Sequence, residues 1–407
     1  MTYPDYIKNC IELLEKSGYS AYAVGGAVRD SLLQNEPSDW DVTTSALPNE
    51  ILRVFADFRT IPTGIKHGTV TVLFENEENG NKEPVEITTF RVDGEYRDSR
   101  HPESVDFSSD VRDDLSRRDF TVNAMAFNEK EGIIDAFCGQ QDLENRIIRA
   151  VGEPQKRFSE DALRILRAFR FASQLEFEIE ENTLRAASVC SPLLKNIARE
   201  RVGVEFKKLL ASKGASYSLQ KMTENGVWKA LFDAPAPSHE TIWEISNLPN
   251  GNFATRFAAL IVDCEEDEKE KFLASLRLSN DEKRLVLRLC RVKSFEIPEK
   301  TDKIPASARH FLHLYNNIYD EAREMLKFLN KDKLIEDFVA VLDAENSKNN
   351  PLSLSALKVK GSDILPFCMG NHARVGKILN QLLNRVIEDP TLNEKEKLIE
   401  IAQKELL

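Results

Sequence analysis

The chain has 407 residues, 42% apolar and 30% charged, with a formal net charge of −12. That length exceeds a single compact core and suits roughly two to four domains. The acidic balance argues against wholesale nucleic-acid binding, though it leaves room for a basic track on one face, and no apolar run approaches the ~20 residues of a membrane helix.

Residues 1–18 read as an amphipathic helix, with Ile7, Ile11 and Leu14 on one face and Gly18 closing it. It has neither a basic n-region nor an apolar h-region, so no signal peptide is expected. The six cysteines are scattered and none forms a CxxC pair. Zinc ribbons and a disulfide framework are therefore disfavoured, and a reducing cytoplasm fits.

Residues 22–44 (YAVGGAVRDSLLQNEPSDWDVTT) organise the rest. An apolar strand meets Gly25 and Gly26, and a helical pattern follows with Arg29 and Asp30 in its first turn. A second short strand carries Asp39 and Asp41. Glycines let the backbone approach a bulky anion, and a helix opening there aims free N–H groups at it. Arg29 adds a positive fork suited to phosphate. Two carboxylates two residues apart on a strand share one side, which suits Mg²⁺. A Gly-Gly pair alone is usually a turn and Asp-x-Asp alone usually a solvated loop. In this order, with an arginine between, they are far more specific. The stretch resembles the nucleotidyltransferase signature of the DNA polymerase β superfamily. More narrowly, GGAVRD and DWDVTT resemble the class II tRNA nucleotidyltransferase and bacterial poly(A) polymerase family. No GxGxxG or GK[ST] is present, which disfavours a dinucleotide fold and a P-loop.

A helix is expected over 46–58, started near Pro48, with Ile51, Leu52 and Phe55 inward. Val70–Phe74 and Val85–Phe90 read as strands of a small mixed sheet, the second carrying Glu86. Glu86 is either a third site carboxylate or a surface residue. Residues 91–110 lack a period and read as a long loop, often a functional feature inside a domain. In the family resembled, a loop here helps switch nucleotide specificity. LSRRDFTVNAMAFN (115–128) resembles the family's RRDFT motif, in which an arginine contacts the nucleotide. By position that role falls to Arg118, with Arg117 the weaker candidate. Ile133–Phe137 and the following residues read as strand, turn and helix.

RFSEDALRILRAFRFASQL (157–175) reads as one helix with Ser159 as N-cap and Glu160 and Asp161 in its first turn. Asp161, Arg164, Arg167 and Arg170 recur every three residues. Each step falls ~60° short of a full turn, so the first three can share a site and Arg170 lies further round. Cytosine and adenine present an amino donor beside a ring-nitrogen acceptor; uracil and guanine present the reverse. A carboxylate only accepts and a guanidinium only donates. Asp161 and Arg164 can thus accept C or A and reject U or G without a nucleic-acid template. EDALRILR resembles the family's EDxxRxxR motif, which serves this role. An ordinary helix with i,i+3 charge pairs is the plain alternative.

LLKNIARERVGVEFKKLL (193–210) resembles a further family motif and reads as structural. The remainder is helical in pattern. His310 and His313 lie on one expected helix without ligand partners at metal spacing, so packing or surface roles are favoured. The segments 354–365 and 369–390 resemble the family's tail, where Lys358, Lys360, Arg374, Lys377 and Arg385 can track tRNA phosphates or simply be solvated.

The resemblance implies an α+β head (residues 1–150) with a polymerase β-like mixed sheet and helices. All-α neck (151–215), body (216–320) and tail (321–407) domains follow. It implies addition of C, C and A to the tRNA 3′ end from CTP and ATP with Mg²⁺, in a monomer or homodimer. Asp39 and Asp41 are expected to be catalytic and metal-binding. Gly26, Arg29, Arg118, Asp161, Arg164, Arg167 and Arg170 are expected to bind nucleotide. The alternatives are an A-adding-only enzyme, a poly(A) polymerase, expected to carry extra basic terminal segments, and a non-catalytic RNA-binding scaffold.

Overall fold

The computed structural model describes all residues except 63, 76–80, 95–104, 233, 369–370 and 407. The chain divides into two compact units, one formed by residues 1–246 and 266–278, the other by 247–265 and 279–407.

The first unit begins with α1 (Asp5–Lys16), which buries Ile7, Ile11 and Leu14 as their spacing predicts, and Cys10 with them. It continues through β1 (Ala21–Val24), α2 (Gly26–Leu32), β2 (Asp41–Thr44), α3 (Pro48–Val54), β3 (Arg59–Ile61), β4 (Thr69–Glu75) and β5 (Lys82–Thr89). Next come β6 (Arg91–Asp93), β7 (Val105–Phe107), α4 (Val111–Ser116), β8 (Ala126–Asn128), β9 (Gly132–Ile134) and α5 (Gly139–Glu144). A seven-stranded mixed sheet has the order β3-β4-β5-β2-β1-β8-β9. Its β2–β5 pair is parallel and its other pairs are antiparallel. All four residues of β1 are buried, as in a central strand covered on both faces. Tyr22, Val24, Phe90, Val111, Leu115 and Ala126 belong to one apolar cluster that ties the sheet to α4. The head is thus the mixed sheet with helices that the sequence predicts.

The loop expected over 91–110 is corrected at its edges. Arg91–Asp93 and Val105–Phe107 pair as antiparallel strands, and Ser108 N donates to Phe90 O at 2.9 Å. These three-residue strands are too short to show a period. The middle of that expected loop lies outside the described residues.

The strand β10 (Ile147–Ile148) leads to α6 (Pro154–Glu160), α7 (Leu163–Leu175), β11 (Glu178–Ile179), α8 (Glu181–Cys190) and α9 (Arg199–Ala211). The single helix expected over 157–175 is two. α6 starts earlier, capped by Glu153, whose carboxylate accepts from the backbone N–H of Gln155 and Lys156. It ends at Asp161, which is extended at φ −140° and ψ 105°. Ser159 is not a cap: it lies inside α6 and its hydroxyl donates to Gln155 O. α7 then packs against α9. Phe206, Trp228, Phe232 and Phe272 form an aromatic cluster further along this unit.

The second unit is helical. Its core includes Ile364, Ile378, Leu382, Leu383, Val386 and Leu398. Arg309 is buried there and donates to the carbonyls of Ile387 and Glu388 at 2.6 and 2.5 Å and to Glu345 at 3.2 Å. Those carbonyls end the helix His372–Glu388, so a buried cation caps its negative pole. His313 is exposed and bonds Leu352 O at 2.7 Å. Among the described residues, no helix is long and apolar enough to cross a membrane.

Candidate nucleotide site

Strand β1 ends at Val24 and the chain turns through Gly25 into α2. Gly25 has φ +77°, and a Cβ there would lie 2.8 Å from Arg118 Nη1. The positive φ therefore favours glycine, and a side chain there would also push the Arg118 guanidinium aside. Gly25→Ala is expected to cut incorporation at least about tenfold, because strain of about 1–2 kcal/mol adds to displacement of Arg118. Steady-state kinetics beside a thermal melt will check this, and wild-type kinetics would refute the need for glycine.

One turn on, Arg29 is buried. Its Nε and Nη2 each donate to a carboxylate oxygen of Asp30 at 2.8 Å, and its Nη1 donates to Asn123 Oδ1 at 2.6 Å. Asp39 lies just before β2 rather than on it, which corrects the expectation that both aspartates are strand residues. Alternation still holds: Asp39 and Asp41 are exposed while Trp40 between them is buried, edge-on to Tyr3. Both carboxylates face a cavity of about 580 Å³.

Asp41 pairs in register with Glu86 of β5. Its pKa is pushed up to about 6, first by desolvation against the protein wall and further by Glu86 and Asp39, with Arg118 opposing. Water reaches the carboxylate from the cavity while the protein behind it raises the cost of its charge. The donors are oxygen only and negatively charged, the chemistry a hard divalent cation takes. Among the described residues, no three His, Cys, Asp or Glu side chains gather closely enough to form a full ligand set. A pair of carboxylates suits an ion that keeps waters and substrate phosphates as its other ligands.

The RRDFT stretch supplies a further part of the lining. Asp114 is fully buried and accepts from Arg117 Nε and Nη2 at 3.0 and 2.6 Å and, at 3.4 Å, from Arg118 Nη2. Burial raises its pKa, but Arg117 and Arg118 outweigh that and hold it below the usual range. Arg118 lines the cavity and Arg117 does not, in line with the positional choice between them. Asp119 accepts from the backbone N–H of Phe120, from Asn123 Nδ2 and from Arg167 Nε. Desolvation of Asp119 is overcome by Arg167, Asn123 and Arg164, so its pKa falls to about 2.

Seven of the nine predicted residues line this one cavity: Gly26, Arg29, Asp39, Asp41, Arg118, Arg167 and Arg170. Asp161 and Arg164 do not. Asp161 accepts from Leu163 N at 3.0 Å and from Arg201 Nη2 at 2.8 Å. Arg164 donates to Glu160 at 2.6 Å and to the carbonyls of Arg157 and Arg117, both at 3.1 Å. The sequence argument grouped Arg167 with Asp161 and Arg164 and set Arg170 apart. The structure instead groups Arg167 with Arg170 in the lining; Asp161 falls at the break before α7, and Arg164, on α7 with them, turns to Glu160 and the carbonyls of Arg157 and Arg117.

Sequence reasoning missed Asn123, Phe171 and Lys208, all in the lining. Phe171 is central: Arg170 stacks on its ring at 3.9 Å, and Arg29 and Arg167 each lie 5.2 Å from the ring centre. Three guanidiniums, each held by a carboxylate, thus gather around one aromatic ring, which sets fixed donors beside a planar apolar surface.

A family model described as the poly A polymerase head domain matches residues 21–149. One described as the probable RNA and SrmB-binding site of polymerase A matches residues 176–240. The chain is 36% identical to the CCA-adding enzyme of Ligilactobacillus salivarius across 98% of its own length and 97% of that relative. It is 34% identical to the CCA-adding enzyme of Streptococcus mutans across 99% and 98%. The solved structure of Bacillus stearothermophilus CCA-adding enzyme in complex with CTP superposes with a TM-score of 0.78 at 29% identity, covering 98% of this chain and 97% of that one. With its mixed-sheet head, its Gly-Gly turn and aspartate pair on one cavity, and these near full-length matches, the chain belongs to the CCA-adding enzyme family.

Proposed function

We propose that this protein adds C, C and A without a template to the 3′ end of tRNA, using CTP and ATP and releasing pyrophosphate. The observation that carries the reading is the meeting, in one cavity, of the Gly25–Gly26 turn, the Asp39–Asp41 pair and the arginines from the RRDFT and EDxxRxxR stretches. Asp39 and Asp41 are the residues that would hold Mg²⁺. When bound, that ion supplies positive charge for the reacting α-phosphate and the departing pyrophosphate and favours ionisation of the attacking hydroxyl. The backbone of Gly25 and Gly26 leaves room for the triphosphate. Arg29, fixed by Asp30 and Asn123, presents its charge there in a set orientation. Arg118 reaches the nucleotide from beside the glycine turn, and Arg167 and Arg170 flank Phe171. Asp161 and Arg164, outside that lining at the start of α7, would select the base.

The tRNA is held through phosphates by the tail, where Lys358, Lys360, Arg374, Lys377 and Arg385 are all exposed. Division into head, neck, body and tail at residues 150, 215 and 320 is part of this reading, as is a cytoplasmic location. The test is to incubate the protein with tRNA lacking its 3′ CCA and with each labelled nucleotide, then size the product. Addition of three nucleotides, ending in A, is expected. A single A would mark an A-adding enzyme, a long A tract a poly(A) polymerase, and no addition a non-catalytic RNA binder.

A further inference from the structure

We infer that Glu205, on α9, is a positioning residue that holds Arg167 and Arg170 as a pair against Phe171 and so shapes the part of the site common to CTP and ATP. The inference rests on the nucleotide reading above. Glu205 is buried, only 8% exposed, and is not in the cavity lining. Its Oε2 lies 2.7 Å from Arg170 Nε and its Oε1 lies 3.7 Å from Arg167 Nη1. The contact with Arg170 is an ion pair without hydrogen-bond geometry, so charge is what Glu205 supplies.

The two arginines are held differently. Arg167 has a second carboxylate, with Asp119 Oδ2 2.7 Å from both its Nε and its Nη2. Asp119 is tied through Asn123 to Arg29, so Arg167 belongs to a chain reaching the glycine turn. Among the described residues, Arg170 makes its ion pair with Glu205 and otherwise donates to the neutral Gln174 at 2.9 Å. Both guanidiniums sit on one ring, at 3.9 and 5.2 Å. Like charges so placed repel unless an acid stands between them, and the acid comes from a neighbouring helix. Without its charge Arg167 stays anchored and Arg170 is free to leave the ring. Arg170 lines the cavity with the turn and the aspartates, and Asp161 and Arg164 do not, so its loss should affect both nucleotides alike.

The experiment is equilibrium binding of CTP and of ATP to the full chain, wild type against Glu205→Gln, with kcat and KM measured alongside. Glu205→Gln keeps the size and removes the charge. Both affinities are expected to fall about tenfold, the worth of one charge-assisted contact. The CTP-to-ATP ratio and kcat are expected to change less than about twofold, a split that loss of neck stability alone would not give. Arg170→Lys should cost about as much, and combining it with Glu205→Gln should cost little more, since both act through one contact. Should Glu205→Gln melt below the assay temperature, Glu205→Asp carries the test, keeping the charge one methylene short, with a smaller loss in both nucleotides. Unchanged affinity in a folded Glu205 variant, or full additivity with Arg170→Lys, would overturn the role of Glu205. A wild type that binds neither nucleotide would instead overturn the reading of the cavity, and this inference with it.

Discussion

Asp41→Ala is expected to lower nucleotide incorporation by about a thousandfold, the scale seen when a group that stabilises transition-state charge is removed. Asp39→Ala should approach the same loss. Fold stability should hardly suffer. Both residues are exposed and line the cavity; among the described residues Asp39 accepts from the neighbouring Ser38 at 3.1 Å and no hydrogen bond to the Asp41 carboxylate is present. Stability should in fact shift the other way. The folded-state pKa of Asp41 is raised to about 6 from an ordinary value near 4. Between those two values the folded chain binds more protons than the unfolded chain, so without metal this group favours folding at pH 4–5 and ceases to as pH rises through 6. Asp41→Ala removes that dependence. Mg²⁺ held by the aspartate pair, as proposed, is expected to reverse it, because an ion that binds only the folded state stabilises by mass action and competes with the proton. Thermal melts with and without Mg²⁺, at pH 5.5 and 8, should show a larger shift at pH 8 in wild type and almost none in Asp41→Ala. A variant that turns over normally, or gains as much from Mg²⁺ as wild type, would remove Asp41 from the mechanism.

How much of this was legible in the sequence depended on range. The buried face of α1 and the exposed-buried-exposed order of Asp39, Trp40 and Asp41 are set within a few residues, and local periodicity reveals them. The Gly25 turn is likewise local, although its closest neighbour, Arg118, comes from 93 positions later, the difference of the two numbers. The end of α6 was not legible. Glu160, Asp161 and Ala162 raise no barrier to a helix, yet the chain breaks there, where the Asp161 carboxylate is met by Arg201 from α9 and by its own Leu163 N–H. That is tertiary context overriding a weak local preference. Arginine pairing was hidden for the same reason. Spacing alone suggested i,i+3 partners along one helix, but Arg167 and Arg170 find theirs in Asp119 and Glu205 on other segments. Phe171 carries no local signal that sets it apart from the other apolar residues of α7. Only the Arg170–Phe171 adjacency hinted at a stacked cation, and the ring's place among three guanidiniums needed α2 and α7 brought together.

Asp161→Ala is expected to erase most of the preference for C and A over U and G. The carboxylate has about four acceptor positions; Leu163 N–H and Arg201 each engage it once. Acceptor capacity therefore remains for the amino group of cytosine or adenine. Arg164, by contrast, is held by Glu160 and by the carbonyls of Arg157 and Arg117; on the proposed reading it would exchange one of these for a ring nitrogen. Removing Asp161 deletes the acceptor for the amino group, a charged hydrogen bond worth roughly 1.5–3 kcal/mol, or about one to two decades of discrimination. Uracil and guanine, which face Asp161 with an acceptor, lose the repulsion that excluded them. The same change frees the first turn of α7 and unpairs Arg201, so some stability is lost as well. Arg201→Ala separates the two effects, because it breaks the ion pair but keeps the carboxylate. Single-nucleotide incorporation of CTP, ATP, UTP and GTP should show discrimination collapsing in Asp161→Ala and persisting in Arg201→Ala. If Asp161→Ala slows every nucleotide equally, or Arg201→Ala relaxes selection just as much, then Asp161 serves only to fix the junction between α6 and α7, and base choice resides with residues that line the cavity.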